Sequence, residues 1–150
     1  PGRFYALDGA KRGPAPAHDV GIWVGGYRPR MLRLIGRAAD GWLPSLPYVP
    51  SLAALAEGNA AIDEAAAAAG REPSDVRRLL NVDGRLTADR TDRLLVGPPE
   101  QWAEQLAALA LELGFSAFVL AGDDERAIEV YGAEVAPAVR EIVAAERARR

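Results

Sequence analysis

Cysteine is absent from the 150 residues, and histidine occurs only once, as His18. The chain therefore forms no disulfide, performs no thiolate chemistry and cannot build a histidine metal cluster. No apolar run approaches the roughly 20 residues that span a membrane, and no secretory signal opens the chain. The formal net charge of −3 means that the chain lacks the excess of positive charge that is typical of nucleic-acid-binding proteins. We expect a soluble cytoplasmic protein with no metal, no membrane partner and no nucleic-acid partner.

The length suits one domain over residues 1–150 with a moderate core. The chain opens on Pro1 rather than Met, so we expect it to begin inside a longer or processed chain. Residues 1–20 are rich in glycine, proline and charge and predict an irregular lead-in. The apolar cluster of that lead-in is Phe4, Tyr5 and Leu7. We expect residues 143–150 to be a frayed tail.

Short apolar runs predict four strands, each followed by a helix. The predicted strands are residues 22–24, 42–43, 78–82 and 115–120. We expect the first and the last of them to be buried, the last on both faces of the sheet. Strands that alternate with helices predict right-handed βαβ units and a parallel sheet. A closed eight-stranded barrel needs about 250 residues, so this chain fits half a barrel or a small open sheet.

The predicted helices have recognisable ends. Ser51 is a candidate N-cap for the second helix, which should stop at Gly70, and Gly114 should close the third. Pro137 should divide the last helix into two pieces, while the connection over 83–93 has no assigned structure. The first helix presents an apolar face at i, i+3, i+4 and i+7, formed by Met31, Leu34, Ile35 and Ala38.

The junction between the first strand and the first helix is the most informative segment. Gly25 and Gly26 let the backbone approach a ligand closely, and Pro29 suits the first helical turn. Free N–H groups and the helix dipole would meet there, which favours a phosphate, and Arg28 and Arg30 add positive charge. A tight turn that binds nothing is the alternative.

Other candidate features are weaker. The glycine pair matches neither the dinucleotide fingerprint nor the P-loop, and there is no nucleophile elbow. Acidic residues 123–125 read as a helix start rather than as metal ligands. Trp42 and Trp102 read as core residues, although Trp42 also stands where a strand end would face a site. Arg33 and Arg37 read as a solvated helix face.

Several segments in order carry a family resemblance. They are Ile22-Trp-Val-Gly-Gly26, Met31-Leu-Arg-Leu34, Ala38-Ala-Asp-Gly-Trp42, and residues 96–100, 114–120 and 131–141. Together they resemble the bacterial-luciferase-like monooxygenases, which are flavin- or deazaflavin-dependent oxidoreductases on a (β/α)8 barrel. The resemblance runs from about Tyr5 to Glu141 and covers the C-terminal half of the barrel.

The resemblance implies a cofactor, FMN or the deazaflavin coenzyme F420, and places its phosphate after the first strand. It implies a substrate-facing position for Trp42 and Ser45. It identifies no catalytic residue, because much of the family's flavin pocket comes from the first four strands of the barrel, which have no counterpart in this chain. The cofactor-binding residues it implies are Val24, Gly25, Gly26, Tyr27 and Arg28.

We therefore expect an oxidoreductase acting on a small organic substrate. Reduced FMN would react with oxygen and insert one atom, whereas a deazaflavin would exchange a hydride with the substrate. The alternative is a non-catalytic half-barrel that serves as an assembly or phosphate-ligand-binding subunit, and a weaker one is an unrelated small open α/β domain. The chain would be a fragment, a shortened homologue, or a half completed by a partner or a second copy.

Overall fold

Helices and strands alternate along the chain, and the computed structural model describes them for residues 3–4, 6, 8–11 and 13–149. Tyr5 and Leu7 of the predicted lead-in, and Arg150 of the predicted tail, lie outside these residues. The elements are β1 (Trp23–Val24), α1 (Pro29–Ala38), β2 (Gly41–Trp42), α2 (Leu52–Ala68), β3 (Arg77–Val82), β4 (Arg85–Leu86), β5 (Val96–Gly97), α3 (Pro99–Leu113), β6 (Ala117–Leu120), α4 (Glu125–Val130) and α5 (Ala136–Ala148).

Four strands form one parallel sheet in the order β1-β2-β3-β6. Val24 lies beside Trp42, and Leu80 lies beside Phe118. A helix follows β1, β2 and β6, as predicted, whereas β3 reaches α3 only after β4 and β5. Because the four strands are parallel, their carboxyl ends meet at one edge of the sheet. No helix in the described part of the chain is long and apolar enough to cross a membrane.

The connection over 83–97, which had no assigned structure, contains a second small sheet. Strands β4 and β5 pair in parallel, and the loop between them is held by two glutamines of α3. Gln101 is buried and contacts the loop backbone through its whole amide group. Gln105 accepts a hydrogen bond from the Leu95 N–H at 2.8 Å. Sequence periodicity misses this unit because its strands have two residues each.

The core lies between the sheet and the helices, and α1 meets it with a different face from the predicted one. Leu34 is 38% exposed, and Ala38 is also exposed. The shift follows from the close packing of α1 on α2 through Gly36, where a Cβ would overlap the Ile62 carbonyl oxygen. The buried α1 residues are Leu32, Ile35 and Gly36.

Both edge strands are more exposed than predicted. Ile22 is 62% exposed, Trp23 46% and Val119 45%, so the expectation that 22–24 is a buried strand and that 115–120 is buried on both faces is wrong. The physical reason is that β1 and β6 end the sheet, so each has a neighbouring strand on one side only.

The helix termini agree with the sequence except at the end of the chain. The Ser51 hydroxyl accepts from the Ala54 N–H at 3.3 Å, and Gly70 and Gly114 have φ of +71° and +73°. Before Pro137, the predicted interruption is a π-helical turn over Tyr131–Val135. α5 then runs to Ala148, so residues 143–148 are helical rather than the frayed tail expected.

Candidate anion-binding site at the β1–α1 junction

Two side chains fix the loop between β1 and α1. The Trp42 indole Nε1 donates to the Gly26 carbonyl oxygen at 2.8 Å. The Tyr27 hydroxyl accepts from the Ser45 N–H at 2.8 Å. Both bonds cross from one strand end to the next, so they hold the junction against the carboxyl end of β2.

The backbone of this loop presents unused donors. The N–H groups of Gly25, Gly26, Tyr27 and Arg28 have no partner among the described residues. α1 begins directly after them, and its N-cap, Arg28, makes no side-chain capping bond. A helix N-terminus carries about half a positive charge, and the guanidinium groups of Arg28 and Arg30 are exposed beside it. The junction therefore has the chemistry of an anion site.

The two glycines differ in role, which refines the expectation that both admit a ligand. Gly26 is buried, and a Cβ there would lie 2.9 Å from the Met31 Cβ, so this glycine allows α1 to pack closely. Gly25 is exposed, and its closest obstacle is the Leu43 carbonyl oxygen, 3.1 Å from an added Cβ. Backbone approach by a ligand is available at Gly25. Val24 ends the strand, and its carbonyl accepts from the Leu43 N–H at 3.1 Å.

Trp42 is a buried residue of the core. Its side chain is 2% exposed and packs against Phe115, with ring centroids 6.3 Å apart. A Cβ on Gly58 would lie 2.5 Å from the Trp42 Cη2 atom. The core role predicted for Trp42 is confirmed, and its substrate-facing position stays a prediction. Trp42 supports the site by holding the Gly26 carbonyl.

Ser45 does lie at the carboxyl edge, in a polar group that the sequence did not reveal. Its hydroxyl accepts from the Asn81 Nδ2 at 3.0 Å, and the Asn81 N–H donates to the Pro44 carbonyl at 2.9 Å. Asn81 is the missed residue, and the available signal was an amide inside the otherwise apolar end of strand 78–82. Tyr27, Ser45 and Asn81 thus link the ends of β1, β2 and β3.

An open crevice of about 510 Å³ adjoins the junction, between the start of α1 and the first turns of α2. Arg28 and Glu57 provide its charges, and Leu32 and Leu55 provide apolar wall. An anion held by the loop could extend an uncharged portion into this crevice, which is large enough for a drug-sized ligand.

Other charged groups serve the fold. Arg78 pairs with Asp63, and its Nε donates to the Asn59 Oδ1 at 2.8 Å. Burial lowers the Arg78 pKa, and the Asp63 carboxylate opposes that shift. Among the acidic residues 123–125, the Asp124 carboxylate accepts from the Ala127 N–H at 2.7 Å, which confirms its helix-start role. The described residues contain no group of three side chains able to hold a metal ion.

Comparison with known proteins agrees with this architecture. The chain resembles an F420-dependent secondary alcohol dehydrogenase in complex with an F420-acetone adduct, with TM-score 0.71, 17% identity, 92% of this chain and 54% of that chain covered. The coenzyme F420 dependent tetrahydromethanopterin reductase from Methanopyrus kandleri is also similar, with TM-score 0.66 and 17% identity, and the match covers 79% of this chain and 50% of that chain. These likenesses confirm the predicted fold, part of a luciferase-like barrel, and the chain spans about half of each of those proteins.

Sequence comparison extends the result. The chain is 42% identical over 55 residues to the phthiodiolone/phenolphthiodiolone dimycocerosates ketoreductase of Mycobacterium tuberculosis strain H37Rv, covering 37% of this chain and 14% of that protein. The profile of the family described as luciferase-like monooxygenase matches residues 1–93, more than half of the sequence. The chain therefore belongs to the luciferase-like monooxygenase family.

Proposed function

We propose that this chain supplies the phosphate-binding half of a flavin- or deazaflavin-dependent oxidoreductase. The observation that carries the proposal is the run of four backbone N–H groups, at residues 25–28, without partners at the start of α1. A phosphate monoester or diester needs several such donors and a positive field, and the exposed Arg28 and Arg30 add two full charges.

Both FMN and coenzyme F420 fit this donor set, because each carries a phosphate. The bound ring would supply the redox chemistry, and this chain would orient the phosphate end through residues 25–28. The two solved structures named above are described with F420, and the M. tuberculosis relative is named a ketoreductase. These names support hydride exchange between a deazaflavin and a carbonyl or alcohol as the first reaction to test.

Catalysis by this reaction requires more of a barrel than the described sheet. Its two edges, β1 and β6, are unpaired and carry exposed apolar side chains. We propose that four further βα units close the sheet, either in the same polypeptide or in a second copy of this chain. A non-catalytic subunit that only binds a phosphate ligand is the alternative, and it needs the anion site but not the closed barrel.

The first experiment is a fluorescence titration of the chain with FMN and with coenzyme F420. Charge reversal by Arg28→Glu should weaken binding at least tenfold, since it removes a positive charge beside the phosphate and adds a negative one. The matched control is Arg33→Glu, which makes the same charge change further along α1. A negative charge at the N-cap interacts favourably with the helix dipole and stabilises α1. Loss of binding in Arg28→Glu would therefore not reflect unfolding of α1.

Equal binding by wild type and Arg28→Glu would contradict the site. Equal weakening in both variants would show a long-range charge effect and would also contradict it. The variant Gly26→Asp is a poor test, because Gly26 packs against Met31. Gly25→Ala, whose added methyl would lie beside the exposed backbone, tests close approach with a smaller change in packing.

A further inference from the structure

The two ends of the parallel sheet carry apolar side chains that the fold leaves exposed. One end consists of β1 and α1 (residues 22–38), called here the β1–α1 side. The other consists of β6, α4 and the π-helical turn (residues 117–135), called the β6–α4 side. Ile22 is 62% exposed on the first, and Ile128 is 50% exposed on the second. Exposed apolar side chains beside an unpaired strand mark a surface to which another chain can bind.

The apolar face that the sequence predicts for α1 lies on the outer part of the β1–α1 side. Gly36 contacts α2, where an added Cβ would overlap the Ile62 carbonyl oxygen. Leu34 and Ala38 stand two positions before and after Gly36, so each is about 200° from it around the helix. Both are exposed. Because α1 follows the edge strand and α2 follows its neighbour β2, this apolar face points beyond the sheet, away from α2.

Ile128 occupies the equivalent place on the β6–α4 side. Ala127 and Val130 line a cavity of about 530 Å³ together with the loop that contains β4 and β5. Ile128 is about 100° from Ala127 and about 200° from Val130 around the helix, so it lies on the part of α4 turned away from that loop. An open groove of about 400 Å³ runs between β6 and α5, with Phe118 in its wall. The β6–α4 side therefore offers an exposed apolar side chain next to an apolar groove.

The two sides carry opposite charge. Residues 27–38 contain four arginines and no acidic residue, whereas residues 123–135 contain five acidic residues and one arginine. The four arginines of the first segment and the five acidic residues of the second are all exposed. When two copies of the chain meet, unlike sides attract and like sides repel. The charges therefore favour contact between the β1–α1 side of one copy and the β6–α4 side of the other.

Contact between unlike sides can close on itself. If β1 of one copy pairs in parallel with β6 of the other, all carboxyl ends stay at one edge, and the helices that follow the paired strands lie side by side. A two-fold axis repeats this contact and leaves no strand edge open. Each copy contributes four strands, so the closed pair has eight, the number in a (β/α)8 barrel.

We propose that a second copy of this chain is the partner that covers both sides. Leu34 of one copy then lies against the partner's Ile128, and this contact occurs once at each of the two seams. Arg30 lies beside the partner's Glu129 at the same seams. The proposal rests on the part of the proposed function that requires a closed barrel, and it selects the second copy as the closing unit because the two sides of one chain complement each other. It does not depend on the anion site.

Size-exclusion chromatography with light scattering tests the pair in the absence of cofactor. At micromolar concentration we expect twice the mass of one chain. Leu34→Asp and Ile128→Asp should each have the mass of one chain, because a carboxylate would be buried in an apolar seam. The matched control is Leu52→Asp, which changes a leucine that is 42% exposed at the start of α2 and lies on neither side; it should remain paired. All three positions are exposed, so the variants should keep the circular dichroism of the wild type.

Charge reversal tests which sides meet. Arg30→Glu and Glu129→Arg should each raise the dissociation constant of the pair at least tenfold, because both seams then hold like charges. An equimolar mixture of the two variants should restore wild-type affinity, since a mixed pair has one seam with both charges exchanged and one seam with the original charges. If like sides met instead, one of the two variants would have no effect.

Three outcomes would overturn the proposal. A wild-type chain with the mass of a single copy would mean that further units of the same polypeptide, or another protein, close the sheet. A pair that persists in Leu34→Asp and Ile128→Asp would use another surface. A mixture of the charge variants that binds no more tightly than its components would exclude contact between unlike sides. None of these outcomes bears on the anion site, which the cofactor titration of Arg28→Glu tests separately.

Discussion

Replacing Gln101 by alanine should release the loop over 83–97 from α3. The Gln101 Nε2 donates to the Thr91 carbonyl at 3.0 Å and, at 3.3 Å each, to the carbonyls of Arg93 and Val96. Its Oε1 accepts from the Thr91 N–H at 3.0 Å. One buried side-chain amide therefore pairs with four backbone groups of residues 91–96.

The expected loss in the free energy of unfolding is about 2–3 kcal/mol. A net hydrogen bond contributes about 0.5–1.5 kcal/mol, and Gln101 makes two bonds of ordinary length and two longer ones that share a donor. Thr91 is exposed, so water can reach its freed backbone groups and the full penalty of a buried unpaired group is avoided.

Urea unfolding followed by circular dichroism measures this loss, and amide exchange over 83–97 measures the local opening. The matched control is Gln105→Ala, which removes the 2.8 Å bond from Leu95 and a 3.5 Å contact to Arg93. Because Leu95 is fully buried, its N–H would lose its partner away from water, and the variant should cost about 1–3 kcal/mol. A Gln101→Ala protein as stable as wild type, or with exchange unchanged in the loop, would refute the reasoning.

Three further predictions concern stability. Gly36→Ala should cost about 1–3 kcal/mol through overpacking of α1 on α2, whereas Gly132→Ala, with open space around the added methyl, should be neutral or stabilising by up to about 1 kcal/mol; urea denaturation compares them. Asp124→Ala should cost about 1 kcal/mol through the lost α4 cap, and restoration by Asp124→Ser would identify the cap as the cause. Burial raises the Tyr131 pKa above its usual 10.0, so the folded state favours the neutral phenol. The raised pKa adds to the free energy of unfolding in full below the pKa of the unfolded state, and this addition is lost as the pH rises further. The melting temperature of the wild type should therefore fall more steeply than that of Tyr131→Phe between about pH 9 and 11.

The sequence was sufficient for the order of the large elements because their signals are local. Ser51, Gly70 and Gly114 mark helix ends through hydrogen bonding and backbone conformation that depend on neighbouring residues alone. The β1–α1 junction was predicted for the same reason, since glycines and a proline determine a strand-to-helix turn without help from the rest of the chain.

The features that the sequence did not predict all depend on contacts between residues that are far apart in the chain. The buried face of α1 is set by where Gly36 meets α2, not by the apolar period alone. The bond from the Trp42 indole to the Gly26 carbonyl joins residues 16 positions apart, so no local pattern predicts it. The role of Asn81 depends on its meeting Ser45, 36 positions earlier in the chain, and no local pattern encodes that pairing.

The charges along the carboxyl edge of the sheet differ in sign from one end to the other, which bears on how an anionic cofactor would lie there. Positive groups, Arg28 and Arg30, flank the end of β1, and negative groups, Asp83 and Asp123, flank the ends of β3 and β6. An anionic cofactor lying across this edge would therefore place its phosphate at β1 and be repelled at β6. The field along this edge therefore favours one orientation of an anionic cofactor over the reverse one.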